Sequence, residues 1–284
     1  MRATGSIPEL RTLIADWHRH RQRVAFVPTM GNLHAGHLGL VEKAREISDR
    51  VVVSIFVNPL QFGPAEDFDT YPRTLEADTA VLREQGTDLL FAPAPATIYP
   101  LDPRRTTRVE VPDISDILCG EFRPGFFAGV ATVVAKLFNL VQPDVAVFGE
   151  KDFQQLVIIR RMVTELDWPI EVVGVPTVRE ADGLAMSSRN AYLRPEERAV
   201  APRLYAILCD LAERLRGQSV EFQPLEADAM RRLAAAGFRP DYVSVRRRAD
   251  LARPDARDTK LVVLAAAWLG DRARLIDNIS IEFI

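Results

Sequence analysis

Short apolar runs alternate with amphipathic stretches through the first 175 residues. Positions 24–27, 51–57, 89–91, 145–148 and 170–175 read as strands. The run Val51-Val-Val-Ser-Ile-Phe-Val shows little alternation, so both of its faces are expected to be covered. That is the mark of a parallel sheet between helix layers. Between the runs, apolar residues fall on single helix faces: Leu38, Val41, Ala44 and Ile47; then Val130, Val133, Val134, Leu137 and Val141; then Leu156, Ile159, Val163 and Leu166. Strand and helix in alternation predict a doubly wound, Rossmann-like α/β domain. Ligands of such folds sit beyond the carboxyl ends of the strands.

The pattern changes near residue 176. Positions 176–190 are polar and contain a glycine, as a loop or linker does. Pro195 then opens a long helical stretch that Pro202 should bend or interrupt. A second helix is predicted near 226–236, followed by strand-like runs at 242–245, 261–269 and 279–283. The expected organisation is a Rossmann-like domain over 1–175 and a smaller α+β domain over 176–284.

Composition narrows the class without naming a function. The chain has 284 residues, 48% apolar and 26% charged, with a net charge of −3. This is a globular balance that gives no electrostatic reason for a nucleic-acid partner. Two distant cysteines, Cys119 and Cys209, make neither a disulfide framework nor a C-x-x-C metal site. The first residues carry charges instead of an apolar signal core, and the longest apolar run, 261–269, is too short for a bilayer. A cytoplasmic protein with no membrane partner is the expectation.

Four polar segments follow the apolar runs. The first is P-T-M-G-N-L-H-A-G-H, which sets His34 and His37 three apart at a strand-to-helix turn. Gly31 permits the turn and Gly36 a close backbone approach. Two imidazoles and the amides of a helix end can hold a phosphate. A zinc reading lacks a third ligand, and His18 and His20 fall on a charged helix face. The second segment, S-I-F-V-N-P-L-Q-F, puts Gln61 just after a buried strand. A neutral amide can donate to a carboxylate and accept from an amine; the competing reading is a loop glutamine satisfied internally. The third, F-G-E-K-D-F-Q-Q-L, sets Lys151 at a helix N-terminus, unfavourable unless it faces an anion. Gln155 lies one turn on, and the competing reading is an ion pair of Lys151 with Glu150 or Asp152. The fourth, D-G-L-A-M-S-S-R-N-A-Y-L, gathers Ser187, Ser188, Arg189 and Asn190 into a donor cluster suited to a polyphosphate. Together the four segments read as a nucleotide site beside a small polar substrate.

These motifs, with Y-P-R-T-L, K-L-F-N-L-V-Q-P-D and the late R-L-I-D-N, resemble the pantoate–β-alanine ligase (pantothenate synthetase) family from about residue 20 onward. The short H-x-G-H is shared with the wider nucleotidyltransferase superfamily, and A-M-S-S-R is similar to its K-M-S-K-S-type loop. The resemblance implies an ATP-dependent condensation of (R)-pantoate with β-alanine through pantoyl adenylate, releasing pyrophosphate and AMP. It implies an ATP site lined by Met30, Gly31, Asn32, Leu33, His34, Ala35, Gly36 and His37. Gly149, Glu150, Lys151, Asp152, the backbone of Val178, and Met186, Ser187, Ser188 and Arg189 would complete that site. Catalysis would fall to His37, His34, Lys151 and Arg189, with His37 as proton donor. Gln61 would meet pantoate and β-alanine, and Gln155 pantoate. The resemblance further implies Mg²⁺ with the ATP, a homodimer, and a smaller domain that acts as a lid.

Departures stand at Phe126, where the family often has histidine, at Ala128, often arginine, and at Arg247 and Arg248, where an acidic residue is common. They touch dimer packing or pocket detail more than the reaction. Two other readings stay open: a nucleotidyltransferase of the same superfamily acting on another small substrate, and a non-catalytic nucleotide-binding module.

Overall fold

In the computed structural model the apolar runs become neighbours in one parallel sheet. The structure describes residues 1–63, 66, 68–216, 221–255 and 257–283, with residue 104 described by its backbone alone. Six strands, β1 (Arg2–Thr4), β2 (Val24–Thr29), β3 (Arg50–Ile55), β4 (Leu89–Phe91), β5 (Val145–Gly149) and β6 (Glu171–Val175), pair in the order β1-β4-β3-β2-β5-β6. Every pairing is parallel. The helices are α1 (Ile7–Arg19), α2 (Ala35–Ile47), α3 (Leu75–Glu84), α4 (Pro95–Ile98), α5 (Cys119–Phe122), α6 (Phe126–Val141) and α7 (Phe153–Glu165).

Both faces of the sheet are covered, as the unbroken runs require. Ala25, Val27, Val51, Val53, Val145 and Val147 share one cluster with Leu40, Val41 and Ala44 of α2. The alternate residue Phe26 packs edge-on against Phe138 of α6, 6.3 Å between centroids, and Phe138 in turn meets Phe148 and Trp168. Burying one such ring completely stabilises by ~2–3 kcal/mol.

β2 is the pivot. The chain proceeds outward from it through β3 to β4 on one side, then returns beside it as β5. The carboxyl ends of β2 and β5 therefore flank the point where the strand order reverses, the place where open α/β sheets bind ligands.

By its contacts the chain forms two compact units, Met1–Glu150 with Ile158–Pro176, and Lys151–Val157 with Thr177–Ile284. Lys151 and the start of α7 thus count with the second unit. That unit holds α8 (Pro195–Val200), α9 (Arg203–Arg216), α10 (Phe222–Ala235) and an antiparallel sheet β7-β8-β9 (Arg239–Arg247, Lys260–Leu269, Ala273–Glu282). The break between α8 and α9 falls at Pro202, as expected. Leu204, Leu208 and Leu211 of α9 and Leu233 of α10 form its core with Val245, Val263 and Ala265 of the sheet.

Three expectations are corrected, and one strand goes unread. The hydrophobic pattern does not predict β1, because Arg2-Ala-Thr is only three residues long, lacks an apolar run and lies at the sheet edge. Leu166 lies beyond α7 and is 46% exposed, so it does not extend that helix's apolar face. α10 begins at Phe222, four residues before the expected start. β9 begins at Ala273, not 279, so R-L-I-D-N is strand.

Candidate active site

The paired-histidine turn is built from below by a carboxylate. Gly31 and Asn32 take left-handed backbone, at φ +82° and +52°, which only glycine and short polar residues adopt readily. This geometry aims the amides of Asn32 and Leu33 at Asp78, whose two carboxylate oxygens accept them at 2.9 Å each. Thr74 Oγ1 adds a third bond to Asp78 at 3.1 Å. Asp78 is 4% exposed.

His34 caps α2. Its Nδ1 accepts the Gly36 amide at 3.2 Å, and His37 Nδ1 accepts the His34 amide at 3.3 Å. An imidazole nitrogen that accepts carries no proton, so in the neutral rings the proton sits on Nε2. The two rings lie 4.1 Å apart between centroids. Nearly every amide of the turn is engaged inside the protein: Gly31 on Thr29, Asn32 and Leu33 on Asp78, His34 on His37, Gly36 on His34, and His37 on the His34 carbonyl. Most amides of the turn that the expectation assigned to a phosphate are thus engaged inside the protein.

Gln61 ends a 3₁₀ turn, Pro59–Gln61, after β3. Its Oε1 accepts from Asn58 Nδ2 at 2.9 Å, which orients the amide. Asn58 is fully buried and uses its whole valence: Nδ2 also donates to the Gly129 carbonyl at 3.1 Å, and Oδ1 accepts from Leu60 N at 3.3 Å and Tyr99 OH at 2.8 Å. Burial pushes the Tyr99 phenol well above its ordinary range, so it stays a donor. Arg123 holds the same turn from the other side, donating to the Gln61 carbonyl at 3.1 Å and to Glu66 at 2.7 and 2.5 Å.

Gly149 closes β5, with Glu150 just after it in the same unit. The carboxyl ends of β2, β3 and β5, three adjacent parallel strands, thus carry the histidine turn, the Gln61 turn and Gly149.

In the second unit, Lys151 and Asp152 belong to a 3₁₀ turn ahead of α7, with Gln155 in the helix's first turn. Lys151 Nζ stands 3.8 Å from Asp152 Oδ2. This is an ion pair too long for a hydrogen bond, so the competing reading of Lys151 holds only loosely. The expected loop over 176–190 is a narrow hairpin. Arg179 bridges Ala185, and Met186 N donates to the Val178 carbonyl at 3.0 Å. Ser187 caps the turn Ser188–Tyr192 by accepting the Arg189 amide, and Asn190 ties back to Glu180 and Ala185. Arg179 makes a two-pronged bond to Asp277 at 2.7 and 2.9 Å and stacks 3.4 Å over the Tyr205 ring. Burial alone lowers the Arg179 pKa, but Asp277 outweighs it and holds the guanidinium above its ordinary value.

Phe126, the departure from histidine, receives the Arg123 guanidinium 3.7 Å above its ring. Ala128 is buried in α6. Arg247 pairs with Asp250 at the turn after β7, and Arg248 donates its amide to the Lys260 carbonyl. Sequence reading missed Asp78, Asn58, Tyr99 and Arg179. Asp78, Tyr99 and Arg179 act through partners distant in the chain; Asn58 acts on Gln61 three residues on, a local signal that the segment S-I-F-V-N-P-L-Q-F offered and that was not read.

A doubly wound sheet with paired histidines at its reversal point places this chain among the open α/β folds that bind a ligand there. Comparison with known proteins narrows the class. A sequence model of the family pantoate-beta-alanine ligase matches residues 2–280. Pantothenate synthetase of Shewanella sp. strain ANA-3 is 55% identical over 282 residues, covering 99% of this chain and all of that one. The crystal structure of pantothenate synthetase from Thermus thermophilus superposes with a TM-score of 0.90 at 49% identity, over 98% of this chain and 99% of that one. The Francisella tularensis pantoate-beta-alanine ligase, complexed with beta-gamma ATP and beta-alanine, superposes at 0.81 with 32% identity, over 98% and 97%. The chain belongs to the pantoate–β-alanine ligase family and is an enzyme of that kind.

Proposed function

We propose that this ligase works in two steps on one nucleotide. The carboxylate of (R)-pantoate attacks the α-phosphorus of ATP and forms pantoyl adenylate, with pyrophosphate leaving. The unprotonated amine of β-alanine then attacks the acyl carbon, the C–O bond to AMP breaks with its electron pair leaving on the phosphate oxygen, and the amine's proton passes to water. A free carboxylate is a poor acyl donor because it would have to expel oxide; the adenylate expels AMP instead.

The observation that carries the reading is the histidine turn at the strand reversal. With both Nδ1 atoms tied to backbone amides, each neutral ring keeps its proton on Nε2. Two such donors suit the negative charge that builds on the phosphate oxygens as the carboxylate attacks. His37 serves beside His34 as a hydrogen-bond donor through Nε2–H; to hand over a proton outright it would first have to be protonated on Nδ1 and release the His34 amide. Lys151, Ser187, Ser188 and Arg189 carry the triphosphate and neutralise the departing pyrophosphate. Gln61, oriented by Asn58, meets pantoate and β-alanine, and Gln155 meets pantoate. The Francisella relative's ATP and β-alanine ligands support the choice of substrates.

ATP enters as its Mg²⁺ complex. Such an ion would be held largely by phosphate oxygens and water; among the described residues no group of three or more His, Cys, Asp or Glu side chains is placed to hold a metal ion. The smaller unit acts as a lid, and the enzyme works as a homodimer in the cytoplasm. Among the described residues no helix is long and apolar enough to cross a membrane. Equilibrium sedimentation at the mass of a single chain would overturn the dimer.

The test is release of AMP and pyrophosphate with pantoate present, with and without β-alanine. Sustained AMP release should require both acid and amine. ¹⁸O placed in the pantoate carboxylate should appear in AMP. AMP release indifferent to β-alanine, or unlabelled AMP, sinks the two-step reading.

A further inference from the structure

Of two neighbouring residues of β9, one reaches the Lys151 turn that the proposed reading assigns to the triphosphate, and the other reaches the hairpin that leads into the Ser187-Ser188-Arg189 loop. Asn278 Nδ2 donates to the Lys151 backbone carbonyl at 2.9 Å. Asp277, its side chain 2% exposed, takes the two-pronged bond from Arg179. Arg179 also donates to the Gly183 carbonyl at 3.1 Å, gripping the hairpin that leads into Ser187. The dipeptide is braced internally, since the Asn278 amide donates to Asp277 Oδ1 at 2.8 Å. β9 also lies against the turn Ser188–Tyr192.

Successive strand residues send their side chains to opposite faces. An Asp-Asn pair in a regular strand can therefore hold two segments at a separation fixed by the strand itself. The strand is well anchored, paired to β8 over its length from Ala273 to Glu282. The Asp277–Arg179 bond is the planar two-pronged kind, which fixes direction as well as distance. Replacing a buried ion pair with apolar residues of similar volume is often neutral or stabilising, so the pair's burial is not by itself an argument for stability. An aliphatic pair of similar volume costs less desolvation, so the pair's distinctive contribution is placement.

We infer that Asp277 and Asn278 are positioning residues: they set the Lys151 turn and the Ser187-Ser188-Arg189 loop at a fixed spacing that matches a nucleoside triphosphate. The inference rests on the proposed role of Lys151 and of the loop. Neither residue needs to touch substrate. Asn278 acts through the main chain of Lys151, and Asp277 through Arg179 and the hairpin.

A double-mutant cycle tests it, with ATP kinetics on the full chain for wild type, Asn278→Ala, Lys151→Ala and the pair. Asn278→Ala should lower kcat/KM for ATP about tenfold, the upper scale for one hydrogen bond, with the β-alanine KM within about twofold of wild type. In the Lys151→Ala background the same change should cost nothing further, because coupled residues are not additive. Losses that multiply, or that fall equally on every substrate, overturn the inference and leave Asn278 a fold residue. Lys151→Ala with wild-type kinetics overturns the proposed role of Lys151 and the inference with it. A crippled Lys151→Ala beside a wild-type Asn278→Ala overturns the inference alone. Asp277→Asn paired with Arg189→Ala runs the second arm with the same criteria. Arg179→Lys, which keeps charge but loses the two-pronged bond, replaces Asp277→Asn if that variant does not fold.

Discussion

At the scale of single residues, the site depends on groups whose partners lie far along the chain. His34 and His37 were legible because three-residue spacing at a strand-to-helix turn is a local signal. His37→Ala should lower kcat by about 10²–10³, the usual loss for one transition-state donor; normal turnover by that variant would remove His37 from the chemistry. Asp78 was not legible. It looks like any acidic residue in a helix's first turn, and only folding brings it to amides 45 and 46 residues away. Asp78→Asn keeps the shape but turns one acceptor into a donor facing an N–H. Leaving a buried amide unpaired costs ~1–3 kcal/mol, so denaturant unfolding should register that loss, and the ATP KM should rise as the histidine turn loosens. A variant of wild-type stability would mean that the turn holds itself.

At the scale of elements, what could be read was what burial on both faces writes into the chain. β2, β3 and β5 lie in the middle of the sheet and had to be apolar throughout, so their runs stood out. β1 needs only three residues at an edge, and its Arg2-Ala-Thr carries no pattern. β9 was cut short because Asp277 and Asn278 are buried as polar residues, an environment set by Arg179 and Lys151 and not by periodicity. A close approach of two elements is likewise silent in sequence. α6 packs so tightly on the Gln61 turn that a Cβ on Gly129 would lie 2.1 Å from the Leu60 carbonyl oxygen. Backbone must move to admit it, and overpacking of this kind costs ~1–3 kcal/mol. Gly129→Ala should therefore lower the melting temperature and, because the Asn58–Gln61 bond shifts with the turn, raise the pantoate KM more than the ATP KM. An equal rise in both would show that Gln61 does not single out pantoate.

At the scale of the whole molecule, the chain has two cores and the proposed chemistry draws on both units. The histidine turn and Gln61 belong to the first, while Lys151, Gln155 and the Ser187-Ser188-Arg189 loop belong to the second. A ligand that binds only the folded protein stabilises what it engages, by ~2.7 kcal/mol at a hundred times its Kd. A non-hydrolysable ATP analogue with pantoate should therefore slow amide exchange over residues 30–37 and equally over 151–157 and 177–190. Arg189→Ala should weaken protection of the second set and spare the first, since it removes a cation from the loop without touching the turn. Protection confined to residues 30–37 in the wild-type protein would mean that the second unit does not engage the nucleotide. The cations that neutralise pyrophosphate would then have to come from elsewhere in the chain, and the pairing of H-x-G-H with the Ser-Ser-Arg loop would fail as an account of this ligase.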